Sequence, residues 1–192
     1  MATPNDRDTE WGIGMEWFEL GPFTVFDVET TGMSPVNDRI VQIAAVRIDR
    51  DGTVSRWASF INPGRSIPAG VVAVHHITDE LVASAPVFAR AGREFIEFAS
   101  GSTLVAHNAR FDLGFLQESL NRTGLPLWKG KTLDTLRLIK TTHPHLPSYK
   151  LQSLRAIFQL ESDDSMQAHR ADADVEWTLQ ILSIALKAAM KQ

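Results

Sequence analysis

Asp27 and Glu29 stand in the stretch FDVETTG, residues 26–32, directly after the apolar GPFTV. In a strand, side chains two positions apart share a face and lie about 6 to 7 Å apart. Two carboxylates so placed repel each other and lose hydration, so they take up a proton or are held by a cation. Two further acids stand in similar surroundings. In NARFDLGFLQESLN, a helical advance of about 100° per residue from Phe111 puts Phe115, Leu116, Leu120 and Leu113 at about 40°, 140°, 180° and 200°. Asp112 falls inside that apolar arc, at about 100°. In DVEWTLQILSIALKAAMK, Ser183, Glu176, Lys187, Gln180 and Lys191 fall between about 180° and 260° from Asp174, which leaves Asp174 on the packed side. Its neighbour Asp172 lies near the edge, at about 160°.

A single inward-facing acid is ordinarily a helix cap or half of an ion pair. Four of them on three segments, with no matching inward lysine or arginine on those segments, point to a shared cation, although Arg110 and Arg170 are close in sequence. The chain has no cysteine, which excludes disulfides and thiolate chemistry and leaves oxygen or imidazole as metal ligands. All-oxygen sites select hard ions such as Mg²⁺ or Mn²⁺, which keep coordination positions for water or phosphate oxygens. The chemistry implied is phosphoryl transfer.

The elements that must carry these acids follow from pattern. The chain has 192 residues, 44% hydrophobic and 22% charged, which suits one domain with a full core. No apolar run reaches the roughly 18 residues of a membrane span, and the polar MATPNDRDTE start is not a signal peptide. A cytoplasmic location is expected. Setting four metal-bound carboxylates aside brings the net charge of −4 to zero, so overall charge does not argue against a nucleic-acid partner. Residues 1–20 are expected to be a loosely held or docked extension, with the tryptophans of WGIGMEWFEL available for docking, and residues 21–192 the functional domain. FTVFDVE, RIVQIAAVRID and TVSRWASFI read as strands, the last two joined by a hairpin at Asp51-Gly52. NPGRSIPAG reads as a loop, VFARAGREFIEFAS as a helix, STLVAHN as a short buried strand and WKGKTLD as a fifth strand. Helices are expected at 110–122, about 134–142, about 150–159 and 171–190. This order implies an α/β fold, a mixed sheet covered by helices.

FDVETTG, HNARFD and HRADADVEWT together resemble, in order and spacing, the three motifs of the DEDDh 3′–5′ exonucleases, the family that includes the proofreading epsilon subunit of bacterial DNA polymerase III. The likeness covers roughly residues 22–188, and VHHIT and LDTL look like further landmarks. It implies a ribonuclease H-like mixed five-stranded sheet flanked by helices, with Asp27, Glu29, Asp112 and Asp174 holding two Mg²⁺ or Mn²⁺ ions at the scissile phosphate. His169, five residues before Asp174, would be the general base. The related DEDDy branch places a tyrosine four residues before the last acid, where this chain has Arg170, and its single tyrosine is Tyr149. By family position Thr30, Thr31, Gly32, Met33, His75 and Asn108 are substrate contacts. Each also has a plain reading: a turn after a strand, a core methionine, a hydrogen-bonded histidine. His76 stands where relatives often have glycine.

The activity implied is a metal-dependent phosphodiester hydrolase that releases nucleoside 5′-monophosphates from the 3′ end of single-stranded or frayed nucleic acid, DNA favoured over RNA. Two alternatives stand beside it. One is a proofreading or repair subunit working with a DNA polymerase, against which the chain's end at Gln192, soon after the last helix, leaves no expected tether. The other is an inert nucleic-acid-binding descendant, which predicts loss of a motif residue, whereas all five are present. His143 and His145 in HPHLP read as an exposed loop, Asp134 as a strand end or helix start, and Lys150 and Arg155 as a solvated face. No membrane partner is expected, and the sequence leaves oligomeric state open.

Overall fold

The computed structural model describes residues 16–160 and 171–191. His169 and most of the predicted extension lie outside them. Five strands form one sheet in the order β3-β2-β1-β4-β5. β1 (Phe23–Thr30), β2 (Ile40–Ile48) and β3 (Val54–Phe60) run antiparallel as a meander, while β4 (Thr103–Ala106) and β5 (Thr132–Asp134) lie parallel to β1 and to each other. The expected hairpin closes at Asp51-Gly52, where Gly52 takes a φ of 82° that a side chain would resist. The mixed sheet and its fifth strand thus form as expected.

Alternation along β1 divides the core. Phe26 and Val28 point to one face, where they join Ile40, Ile43, Phe95, Phe115, Leu116 and Leu120, supplied by β2 and by α3 (Phe88–Phe98) and α4 (Arg110–Arg122). Phe23 and Val25 point to the other face and meet Val175, Leu182 and Leu186 of α7 (Ala171–Ala189). α5 (Thr135–Thr142) and α6 (Leu151–Phe158) close over the far side of α7 around Ile139, Leu154, Trp177 and Ile181. β2 is buried on both faces, which explains its nearly unbroken apolar run.

Two short helices were not expected. α1 (Ala69–His75) begins inside the predicted NPGRSIPAG loop and α2 (Asp79–Val82) follows it. Neither is long enough to show a helical period. They are set by tertiary contact and capping: Val82 packs with Val41, Ile67 and Ile77, Thr78 caps α2 through the Leu81 amide, and His76 ends α1 in the left-handed region at φ 60°. That conformation is one glycine adopts without steric cost. Trp17–Leu20 forms a single 3-10 turn, and Trp17 stacks on Phe23 with ring centroids 6.3 Å apart.

Phe95 joins the sheet to α3, with its ring 5.4 Å from Phe26 and 5.8 Å from Trp57. Phe95→Ala should cost about 3 to 5 kcal/mol through the cavity it leaves, read as a lower urea midpoint at unchanged slope.

Candidate metal centre

The third and fourth inward positions on the α7 face of β1 are acids. Asp27 lies opposite Ala44 of β2, and Glu29 opposite Gln42. β1 has to carry them at its far end because β4 stops short: the β1–β4 ladder runs only from Phe23 to Val25, and the groove opens beyond it. α7 packs against β1 and β2 and brings Asp174 in its first turn, where the positive end of the helix dipole favours a carboxylate. Oxygens of Asp27, Glu29 and Asp174 lie within 4.8 Å of one another. Asp174 is buried and Asp172 exposed, so the helix separates two acids that are neighbours in the chain.

Asp112 arrives from the opposite face, on α4. Its Oδ1 accepts the Val28 amide at 3.2 Å, taking the place of a ladder partner that β4 is too short to supply. Asp112 therefore stands beside the other three rather than among them, and its charge is the largest push on Asp27 after burial itself.

Among the described residues, burial and mutual repulsion dominate the electrostatics of the cluster. Burial, then Asp112, Asp174 and Glu29, raise the Asp27 pKa well above the carboxylate range. Burial and then Asp174 push Glu29 up to about 8. Asp112 is pushed up to about 8, chiefly by burial and against the pull of the Val28 amide. Asp174 rises to about 7 through burial and Asp172, with Arg155 pulling less strongly the other way. Arg47, Arg56, Arg90 and Arg122 pair with other acids, Asp49, Glu176, Glu94 and Glu118.

The donor set fits a hard divalent ion. Ligand oxygens on opposite sides of a Mg²⁺ are about 4.2 Å apart, close to the spread of the three carboxylates, and a cavity of about 240 Å³ lined by Asp27, Glu29, Met33, Asn108, Asp112 and Asp174 leaves room for water or phosphate oxygens. A wider cleft of about 1000 Å³ shares Asp27, Met33, Asn108 and Asp174 and continues along Leu136, Lys140, Tyr149, Lys150 and Gln152.

The predicted contact residues divide by placement. Met33 is exposed and lines both spaces, as does Asn108, which takes a φ of 65° that asparagine tolerates. Thr30 and Thr31 are buried, and their hydroxyls bond within the following loop, to the Gly32 carbonyl at 2.6 Å and the Asp38 carboxylate at 3.4 Å. Gly32 has no room for a side chain, since a Cβ would lie 2.5 Å from Asp38 Oδ2. His75 is buried and accepts the Ile77 amide at Nδ1, so Nε2 carries the proton and donates to the Thr30 carbonyl at 3.3 Å. Asp134 ends β5 and caps α5, accepting the amides of Leu136 and Asn108. Of the residues set aside in the sequence, Lys150 lines the wider cleft and Arg155 lies over the Trp177 ring, while His143 is half-buried against Phe158.

Two residues at the site carry no clear sequence signal. His107 has both ring nitrogens engaged, with Thr135 Oγ1 at 2.9 Å and the Tyr149 carbonyl at 2.8 Å, and so ties the end of β4 to the cleft wall. Gln152 donates to Asp174 Oδ1 at 3.4 Å. Only the adjacency of His107 to Asn108 could have drawn attention to it; Gln152 reads as an ordinary helical glutamine.

The chain is similar to known proteins. The family model RNase_T, described as Exonuclease, matches residues 24–182. DNA polymerase III subunit epsilon of Treponema pallidum is 36% identical over 172 residues, covering 88% of this chain and 79% of that protein. The 3′-5′ exonuclease DinG of Bacillus subtilis is 40% identical over 157 residues; the match covers 81% of this chain and 16% of DinG. PolC-type DNA polymerase III of Caldanaerobacter subterraneus is matched over 11% of its length, so the chain spans only a small part of these two relatives. Among solved structures, Exonuclease X in complex with 5′ overhanging duplex DNA superposes with a TM-score of 0.62 at 27% identity, covering 88% of this chain and 90% of that one. E. coli Exonuclease I in complex with a dT13 oligonucleotide shares the fold, with a TM-score of 0.73 at 23% identity over 84% of this chain and 40% of that one. The four acids at the mouth of a ribonuclease H-like sheet and the match over most of the chain agree: this protein belongs to the DEDDh exonuclease family.

Proposed function

We propose that the protein is a 3′–5′ exonuclease that uses two Mg²⁺ or Mn²⁺ ions to release nucleoside 5′-monophosphates from single-stranded or frayed 3′ ends, working in the cytoplasm. The observation that carries this is the convergence of Asp27, Glu29 and Asp174 within 4.8 Å, with Asp112 beside them. Such a pair of ions, when bound, lowers the pKa of an attacking water and stabilises charge on the phosphoryl oxygens and the leaving 3′-oxygen. The chain's own residues do the rest. Asp27, Glu29, Asp112 and Asp174 would hold the ions, and Gln152 steadies one oxygen of Asp174. His169 would take the proton of the water as its oxygen bonds to phosphorus and the P–O3′ bond breaks, the leaving 3′-oxygen taking a proton from solvent. Met33 and Asn108 border the terminal nucleotide, while Thr30, Thr31, Gly32 and His75 shape the loop that presents it.

DNA is favoured over RNA because Exonuclease X and Exonuclease I were both solved with DNA. A second reading, a proofreading subunit in partnership with a DNA polymerase, is favoured by the match to the Treponema epsilon subunit over most of its length.

The direct test supplies the purified chain with single-stranded DNA, 3′-recessed duplex and RNA. Hydrolysis should require Mg²⁺ or Mn²⁺, stop with chelator, and fall at least about a hundredfold in Asp174→Asn. Activity that persists in chelator removes the proposal.

A second expectation concerns pH. The folded-state pKa values of the acids are raised, so between pH 4 and 8 the folded protein binds more protons than the unfolded chain. Stability is then greatest below the ordinary carboxylate pKa and declines as pH rises through about 7 to 8. The metal-free protein should melt at a lower temperature at pH 8 than at pH 5. Mg²⁺ or Mn²⁺ should raise the midpoint more at pH 8, and Asp112→Asn, which keeps an acceptor for the Val28 amide, should flatten the difference. Equal midpoint shifts at both pH values would contradict this account.

A further inference from the structure

Three arginines converge at a place the proposed chemistry does not use. Arg39 Nη1 donates to the carbonyls of Asn37 at 3.2 Å and Asp38 at 2.9 Å. Arg65 Nη1 donates to the same Asn37 oxygen at 2.6 Å, so two guanidinium groups surround one atom. Arg122 Nη2 reaches the carbonyls of Pro35 and Val36 at 3.1 and 2.9 Å and Glu118 Oε1 at 3.3 Å. Burial, then Arg122 and Arg65, lower the Arg39 pKa, as expected where like charges crowd.

Holding a loop does not require this. Neutral amide side chains cap carbonyls equally well without mutual repulsion. Two acids offset this in part: Asp38 and Glu118 pull the Arg39 pKa back up, with Glu118 3.3 Å from Arg122 and the Asp38 carboxylate also accepting the Ser34 amide at 2.9 Å. Each guanidinium has five N–H donors, and the bonds above occupy one nitrogen of each. Arg39 and Arg122 line a pocket of about 270 Å³ whose wall is otherwise mostly apolar, with Ile40, Ile61, Pro63 and Phe88 beside Asn62, Ser119 and Thr123, and Arg65 stands outside it. Arginine forks in this arrangement suit phosphate oxygens.

The position fits the same substrate. The loop capped by the arginines is the continuation of β1: it starts at the metal centre, carries Met33 into the cleft and rests on α4, where Pro35 Cγ lies 3.3 Å from where a Cβ on Gly114 would sit. Arg122 follows Asp112 on α4 by ten residues, about 15 Å along the helix. Met33 and Val36, both largely exposed, stand on the loop between the two places and present apolar surface of the kind on which bases rest.

We propose that Arg39, Arg65 and Arg122 form a second nucleic-acid contact that holds the phosphodiester backbone a few nucleotides from the scissile bond. This rests on the nuclease reading above. The phosphates belong to the strand being cut or to its complement, and the test separates the two.

Kinetics are measured for the full chain and for Arg65→Gln, Arg65→Lys and Arg122→Gln on three substrates: a single-stranded oligodeoxynucleotide, the same strand in a 3′-recessed duplex, and a nitrophenyl ester of thymidine 5′-monophosphate, too short to reach the cluster. Arg65→Gln and Arg122→Gln should raise KM on oligonucleotides by about five- to tenfold with kcat preserved, leave the ester unaffected, and reduce the slope of log(kcat/KM) against log[salt] by about 0.7 to 0.9 per lost phosphate contact. Arg65→Lys should restore the slope. An effect on both oligonucleotides assigns the site to the cut strand; an effect on the duplex alone assigns it to the complement. Arg65 is exposed and makes one of these bonds, so its variant keeps the test sound if Arg122→Gln misfolds. Unchanged KM and salt slope in Arg65→Gln, with the parent enzyme active, overturn the proposal. A parent protein that cleaves none of the three overturns the nuclease reading itself.

Discussion

Carboxylate repulsion in a half-buried pocket is the constraint around which this molecule is arranged. Asp27, Glu29, Asp112 and Asp174 come from β1, α4 and α7, and each raises the cost of ionising another. A fold does not assemble such a group for stability, because the folded state would be improved by almost any neutral replacement. The sheet nevertheless delivers all four to one end. Alternation along β1 puts Asp27 and Glu29 on the α7 face, the first turn of α7 supplies Asp174, and the early end of β4 lets Asp112 reach the Val28 amide from the other face.

The same strand ending shapes the surroundings. Beyond Ala106 the chain turns through His107 and Asn108, and hydrogen bonds from these two residues tie β4 to Thr135, Tyr149 and Asp134. Beyond Thr30, β1 gives way to a loop closed by Asp38 and roofed by arginines. Cleft and loop are thus both consequences of where two strands stop.

Much of this was legible in the sequence, for identifiable reasons. Asp27 and Glu29 interrupt an apolar strand, and Asp112 and Asp174 fall on the packed side of long helices, so periodicity alone marked them. It marked Asp174 over Asp172 for the same reason. α4 and α7 are long enough for a 3.6-residue period to show; α1 and α2 are not, and they exist because Val82 and Thr78 find partners brought from elsewhere in the chain. The roles of Gln152 and of His107, which opens the HNARFD motif, could not be read because they consist of one or two hydrogen bonds to residues distant in sequence. The arginine cluster was hidden likewise: Arg39, Arg65 and Arg122 lie on three separate segments, and no pattern within any one of them signals the meeting.

α7 holds Asp174 on the same rigid rod that buries Trp177, Ile181 and Leu182. A turn or slide of the rod that displaced the carboxylate would also drag Leu182 out of register with the sheet and Trp177 and Ile181 out of register with α5 and α6. Repacking beneath the helix, even far from the cleft, would therefore be felt as altered ion affinity, which makes the centre a gauge of how well the interior is assembled.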